Sequence, residues 1–384
     1  MKAVLFERKP ARYAAAAVAG RIVPGRGASV GPLRLADVDP PELPGDGWQR
    51  LRPRLAGICG SDLATIDGRS SRYFEPIVSF PFTPGHEVVG DLDDGTRAVL
   101  VPVLSCVTRG VEPLCPGCAS SQINRCERIA FGHLEPGLQT GFCTDTGGGW
   151  SIALVAHESQ LLPVPKAMPD EQAVMVEPTA CAVHAARSLR GPIDTVAVLG
   201  AGTLGLLTVA ALRAHADVTT IMVTAKYPAQ QRLATELGAD WVAAPAELAR
   251  AIRSATGSFV VGGRPTGGAE VVIDCVGSAD SLTQALAVTR PGGEVLVVGM
   301  PGHTSLDLTA LWHRETGLRG CYAYTVDDFE AALGLVGEAD LGRLVSATYP
   351  LSRYEEAVDH AANAGRRGAV KVAFDLRDEK ERTR

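Results

Sequence analysis

The run Thr195-Val-Ala-Val-Leu-Gly-Ala-Gly-Thr-Leu-Gly205 decides the fold of this chain. Thr195 to Leu199 reads as a buried parallel strand, and the glycines at 200, 202 and 205 open a helix behind it. Gly200 permits the tight turn, Gly202 lets the backbone approach a pyrophosphate, and Gly205 allows helix and strand to pack closely. Thr203 and Leu204 fall on the first helical turn, where free N–H groups and the positive dipole end attract phosphate. A bare glycine turn in a domain that binds nothing has the same spelling. The strand–helix text that continues behind it favours a dinucleotide site.

That text runs downstream as a helix through Leu212, then Thr219-Thr-Ile-Met-Val223, a helix ending near Leu237-Gly238, Val271-Val-Ile-Asp274 and Glu294-Val-Leu-Val-Val298. Alternation of this kind builds a doubly wound parallel sheet, so the fold class is α/β. Upstream, roughly the first 160 residues are apolar stretches broken by Gly, Pro and Asp, such as Ala98-Val-Leu-Val-Pro-Val-Leu104. They read as short strands and loops, not long helices. After Tyr324 an amphipathic helix from Val326 to Val336 is expected, then strand-like pieces ending at Val370-Lys-Val-Ala-Phe374. This tail does not extend the α/β pattern and is expected to return to the first domain. The last residues, 378–384, read as a solvated end.

Composition narrows the function classes. Of 384 residues 46% are hydrophobic and 21% charged, with 37 basic and 43 acidic side chains, a net charge of −6. Such a chain packs a core and is neither disordered nor collagen-like. It lacks the basic surplus of a nucleic-acid binder. No apolar run reaches the ~18–20 residues of a membrane span. Charges at Lys2, Glu7, Arg8 and Lys9 interrupt what a secretory peptide would keep apolar. A cytoplasmic protein is expected, in which nine cysteines serve as metal ligands, catalytic groups or core thiols in preference to disulfides.

The ribose 2′-hydroxyl of NAD is held by an acidic residue about 20 positions beyond the fingerprint. That count lands on Ala225, in Val223-Thr-Ala-Lys-Tyr227, next to Thr224. Asp217 lies at the wrong end of the strand to substitute. Without the carboxylate a 2′-phosphate meets no repulsion, and Lys226 and Arg232 supply positive charge, unless both are ordinary surface cations. NADP is therefore expected ahead of NAD.

Two constellations suit metal. Cys115-Pro-Gly-Cys118, with Cys126 eight residues on and Cys106 nine residues before, has the four thiols of a closed structural zinc site. A redox pair is the rival reading, but it would sit at a strand-to-helix junction, which is not expected here. The second set is dispersed: Cys59 in Gly57-Ile-Cys-Gly-Ser-Asp62, His86-Glu87 in Pro84-Gly-His-Glu-Val-Val-Gly90, and Glu177 before Pro178. Sulfur, imidazole and carboxylate are the ligands of an open zinc site. Singly, each has a plainer reading as a core thiol, a loop histidine and a helix N-terminal carboxylate.

Together these motifs resemble the zinc-dependent medium-chain alcohol and polyol dehydrogenases, over almost the whole chain from Met1-Lys-Ala-Val to the tail. The resemblance implies a GroES-like catalytic domain, residues 1–177 with 324–384, and a Rossmann domain over 178–323, with the active site in the cleft between them. It implies two zinc ions per chain. Cys59 and His86 would bind the catalytic one; Glu87 would be an exchangeable ligand or would support the others; Glu177 stands where relatives use Cys or Glu. Its Glu-Pro setting resembles the sorbitol, threonine and glucose dehydrogenase branches. Cys181 is a weaker substitute, and Asp62 would orient the ligands. A homodimer or homotetramer is expected.

Three departures accompany the resemblance. Relatives begin the structural lobe with a cysteine three residues before Cys115, where this chain has Glu112, so Cys106 is expected to reach in. The histidine that ends the proton relay in many relatives is replaced by Ala64, leaving Ser61 to hand its proton to water. The 131–150 stretch is longer than in relatives and carries His133, Glu135 and Gln139 as candidate hydroxyl contacts, against the plainer reading of a solvated loop. The reaction implied is hydride transfer between an alcohol, polyol or sugar hydroxyl and NADP. Two alternatives stay open: a zinc-free quinone or enoyl reductase of the same fold, and a non-catalytic NADP-binding sensor.

Overall fold

The computed structural model describes residues 1–377; the charged end at 378–384 lies outside the described residues. The chain divides into two compact units, Met1–Glu177 with Tyr324–Arg384, and Pro178–Ala323.

The second unit is a six-stranded sheet in the order Trp241–Ala243, Val218–Thr224, Ile193–Leu199, Ala269–Asp274, Thr289–Val297, Gly317–Gly320. Every neighbouring pair is parallel. Parallel strands buried on both faces call for continuous apolar runs, which Val196 to Leu199 and Val271 to Ile273 supply. The strand order reverses between Ile193–Leu199 and Ala269–Asp274. That reversal opens a crevice at the strands' carboxyl ends, where ligands of such sheets bind. The fingerprint follows the first of these two strands.

The first unit is built on a seven-stranded sheet whose long member, Trp48–Gly57, pairs antiparallel with Val88–Leu92, Leu154–His157 and Lys371–Asp375. The last pairing brings residues some 300 positions apart into register, Ala373 opposite Gly57 and Phe374 opposite Ala56. Trp150 seals the junction: its ring meets Phe374 edge-on at 5.0 Å, and its indole N–H donates to Gly57 O at 3.2 Å.

Two helices depart from the sequence reading. Pro10–Ile22 is a 13-residue helix in the half expected to hold only strands and loops. Pro10 is preset for a first helical position and the alanines carry high intrinsic propensity, which outweighs the weak apolar stripe. The segment that follows is latched by Asp67, whose carboxylate accepts from the backbone N–H groups of Gly25 and Gly27 at 2.9 and 3.0 Å. The tail, read as strand pieces after its first helix, also holds the helix Tyr354–Ala362, with Ala357 and Val358 buried. Among the described residues no helix is long and apolar enough to cross a membrane.

Candidate metal centres and cofactor edge

The strand Trp48–Gly57 delivers Cys59 to the N-cap of the helix Gly60–Ile66. Asp62 Oδ2 accepts from the Cys59 backbone N–H at 3.0 Å and fixes that turn. His86 and Glu87 stand just before the strand Val88–Leu92, and its register with Trp48–Gly57 sets Val88 opposite Ala56. Gly57 N donates to Glu87 O at 2.8 Å. One sheet pairing therefore closes a gap of 27 positions: the ligand atoms of Cys59, His86 and Glu87 all lie within 4.8 Å of one another. Glycine at 57 leaves room for this carboxylate: a Cβ there would sit 1.9 Å from Glu87 Oε2 and force it to shift.

Glu177 stands outside that set of three. It is buried in the first turn of the helix Val176–Arg187, and the Tyr324 hydroxyl donates to its Oε1 at 3.0 Å. Cys181 is one turn further along the same helix. Ser61 occupies the first turn beside Cys59, and Ala64 is buried on that helix.

Electrostatically the cluster is a knot of buried charge. Burial alone would lower His86, but the Asp62 carboxylate, with Cys59 and Glu177 beside it, overrides this and holds the imidazole well above its usual range. Burial pushes Glu177 up to about 7, with the Glu87 charge adding to it. Lys371, missed in the sequence, is ion-paired with Glu87, and both side chains are buried. Its one visible signal is a lysine inside the apolar run Val370 to Phe374, where a solvated strand face would be interrupted more often.

His86 Nδ1 and Asp62 Oδ1 face each other at 3.6 Å, buried, and neither has a hydrogen-bond partner among the described residues. A neutral imidazole holding a metal through its other nitrogen would donate Nδ1–H toward this carboxylate, the support that metal-bound histidines ordinarily receive. The donor set and this polar pair fit zinc.

The four lobe cysteines also converge. The sulfurs of Cys106, Cys115, Cys118 and Cys126 lie within 4.8 Å of one another, and those of Cys106 and Cys126 are 3.7 Å apart. Tetrahedral Zn–S bonds of about 2.3 Å place sulfurs about 3.8 Å apart, so the set fits a closed zinc site. Glu112 is not part of it. Cys115 caps the short helix Pro116–Ala119. Burial opposes its ionisation, yet the backbone N–H groups of Cys118 and Glu127, joined by the Cys118 and Cys106 thiols, outweigh that and bring the thiol to about 6.

The loop beyond the lobe is clamped by Arg109, a second residue the sequence reading passed over. Fully buried, it donates to the carbonyls of Leu104, Phe131, Leu134, Glu135 and Gly137. This loop sends Phe142 against His86, with ring centroids 6.1 Å apart. His133 and Glu135 are exposed, and Gln139 is buried.

In the second unit Gly200 has φ +90°, and a Cβ on Gly205 would lie 1.8 Å from Gly200 O, so both positions require glycine. A Cβ at Gly202, by contrast, would meet nothing within 4 Å: the space above it is free for a ligand. Gly202 caps the helix Thr203–His215, whose first turn carries Leu204. Thr224 Oγ1 accepts from Gly200 N at 2.9 Å and ties the next strand's end to the fingerprint. Ala225 is buried, Lys226 is exposed, and Arg232 pairs with Glu236 at 3.5 Å. Glycine turn, helix N-terminus and missing carboxylate fit a dinucleotide phosphate.

Residues 45–166 match the model of the alcohol dehydrogenase GroES-like domain, and residues 203–338 that of the zinc-binding dehydrogenases. A sorbitol dehydrogenase of Arabidopsis thaliana is 29% identical over 371 residues, covering 90% of this chain and 91% of that one. A protein of Arthroderma otae named "Probable D-xylulose reductase A" is 32% identical over 321 residues, covering 80% and 84%. Among solved structures, a chain from Sinorhizobium meliloti described as "a putative zinc-binding dehydrogenase" and bound to NADP superposes with TM-score 0.71. It shares 25% identity and covers 91% of this chain and 97% of that chain.

Proposed function

The chain belongs to the zinc-dependent medium-chain alcohol and polyol dehydrogenases, and from that premise we propose that it transfers hydride between a polyol or sugar hydroxyl and NADP. The observation that carries this reading is the convergence of Cys59, His86 and Glu87 within 4.8 Å. A sulfur, an imidazole and carboxylates leave a zinc position open for substrate. The polyol and sugar preference follows the names of the relatives, a sorbitol dehydrogenase and a D-xylulose reductase among them.

Cys59, His86 and Glu177 would hold the catalytic zinc, with Glu87 as a further carboxylate within reach of Cys59 and His86. Bound there, zinc supplies the Lewis acidity that makes a substrate hydroxyl easier to deprotonate, and NADP supplies the hydride acceptor. The protein does the rest. Asp62 holds the Cys59 turn and faces the His86 ring, where it would accept Nδ1–H from a metal-bound imidazole. Ser61 Oγ accepts the hydroxyl proton and passes it to water, since Ala64 offers no imidazole to continue a relay. Cys106, Cys115, Cys118 and Cys126 hold the structural zinc. The Gly200–Gly205 turn and the helix behind it bind the pyrophosphate; Thr224 and Ala225 shape the ribose position, and Lys226 and Arg232 attract the 2′-phosphate. A cytoplasmic homodimer or homotetramer belongs to the same reading.

Metal analysis joined to an NADP-linked screen of polyols, sugars and simple alcohols on one preparation tests it. Two zinc ions per chain and chelator-sensitive oxidation of a polyol are expected. Chelator-insensitive reduction of quinones or enoyl compounds would overturn the zinc chemistry. NADP binding without turnover across the whole panel would overturn the enzyme.

A further inference from the structure

Glu87 converges with Cys59 and His86, the charge of Glu177 acts on the same His86, and each carboxylate is tethered by a different buried group. Glu87 is held by the Lys371 ammonium; Glu177 is held by the Tyr324 hydroxyl. Tyr324 is fully buried, the first residue of the tail segment of its unit. Its ring meets Phe329 edge-on at 5.1 Å, and Thr325 beside it caps the helix Val326–Glu338 through a reciprocal bond with Asp328. Backbone and ring are thus fixed from the tail side, and the phenol is a stiff arm.

We propose that Tyr324 is a positioning residue for the catalytic metal, acting through Glu177. The inference rests on the reading of Glu177 as a zinc ligand. A glutamate side chain has three rotatable bonds, and holding it as a ligand costs conformational freedom. Tyr324 removes part of that cost by engaging Oε1. The carboxylate meanwhile feels the charges of His86, Glu87 and Lys371, although it is not one of the three converged groups. With Oε1 held by Tyr324, Glu177 keeps Oε2 for the metal. A buried tyrosine hydroxyl needs a partner in any fold; here it donates to the Glu177 carboxylate.

The test compares zinc affinity at the catalytic site, by competition with a chromophoric chelator, in the parent protein, Tyr324→Phe, Glu177→Ala and the double variant. Tyr324→Phe keeps the ring packing and removes only the donor. Loss of a group that supports a metal ligand costs about 10–100-fold in affinity, so Tyr324→Phe should fall in that range while the lobe zinc stays bound. In the double variant it should add nothing to Glu177→Ala, and the visible spectrum of the Co²⁺-substituted protein should change in both single variants. Zinc affinity unchanged in Tyr324→Phe but reduced in Glu177→Ala overturns the inference and leaves the ligand reading standing. Affinity unchanged in both overturns the ligand reading and the inference with it. Additive losses in the double variant also overturn it, since Tyr324 would then act by a route other than Glu177; if Tyr324→Phe fails to fold, an unaltered Co²⁺ spectrum in Glu177→Ala does the same.

Discussion

The Lys371 ammonium and the Glu87 carboxylate form an ion pair whose side chains are only 2% and 1% exposed, and the same ammonium donates to the Ile58 carbonyl at 3.2 Å. The pair therefore couples the returning strand Lys371–Asp375 to the backbone that carries Cys59. Burial disfavours charge on Lys371, but Glu87, together with Cys59 and Glu177, overrides it and raises the amine above its usual range.

Breaking one side of a buried pair leaves an uncompensated charge, a loss of about 3–5 kcal/mol, whereas replacing both partners by groups of similar shape is far milder. Lys371→Met should destabilise the protein by that amount in urea unfolding, and Lys371→Met with Glu87→Gln should recover most of it. A loss below about 0.5 kcal/mol in the single variant, the scale of an ordinary surface change, would mean that Glu87 finds another partner.

How much of this was legible in the sequence depends on the range of the signal. The parallel sheet was, because Thr195 to Gly205 carries strand, turn and helix in eleven consecutive residues. The cysteine lobe was legible too, since three of its four thiols fall within twelve residues and the fourth nine residues before them. Lys371 and Tyr324 were not. Their partners, Glu87 and Glu177, are 284 and 147 positions away, and only the pairing of the tail with the first unit brings them near. Arg109 was hidden differently: its partners are backbone carbonyls, which have no sequence signature. The helix Pro10–Ile22 escaped because its apolar stripe is faint and its propensity strong.

Chelation should separate the two metal sites. Carboxylate is a harder and more mobile ligand than thiolate, so a catalytic zinc bound as proposed would be less firmly held than a four-thiolate ion. Mild treatment with a chelator should abolish activity while about one zinc per chain remains and the fold persists. Cys115→Ser should do the reverse, since a closed site contributes folding energy directly: lower melting temperature first, lost turnover second. Well-folded protein with one zinc and a Cys106 thiol that alkylates freely would remove the structural site.

Cofactor choice should follow the strand end at Thr224-Ala225. NADP is expected to bind more tightly than NAD, and Ala225→Asp to erode the difference by setting a carboxylate against the 2′-phosphate. Arg232 is already paired with Glu236, so Lys226→Ala should cost more NADP affinity than Arg232→Ala. If the parent protein favours NAD tenfold, about 1.4 kcal/mol, the charge reading of this edge fails.

The acidity of Glu177 gives a dependence on pH whose sign can be fixed in advance. Burial is the largest cause of its rise from 4.5 to about 7 in the folded chain without metal, so the folded state holds this proton more tightly than the unfolded one. The group's contribution to stability is then complete below about pH 4.5 and drains away as pH rises through about 7, on the order of 3 kcal/mol over the window. Glu177→Gln, with no proton to lose, should not show this decline. In protein freed of its catalytic metal by mild chelation, urea unfolding at pH 5 and pH 8 should therefore show the parent losing more stability than Glu177→Gln. Zinc retention should move oppositely, strengthening with pH as the carboxylate ionises. Cys181→Ala should follow the parent in both measurements. Should Cys181→Ala strip the metal while Glu177→Gln keeps full zinc affinity, the ligand lies one helical turn further on.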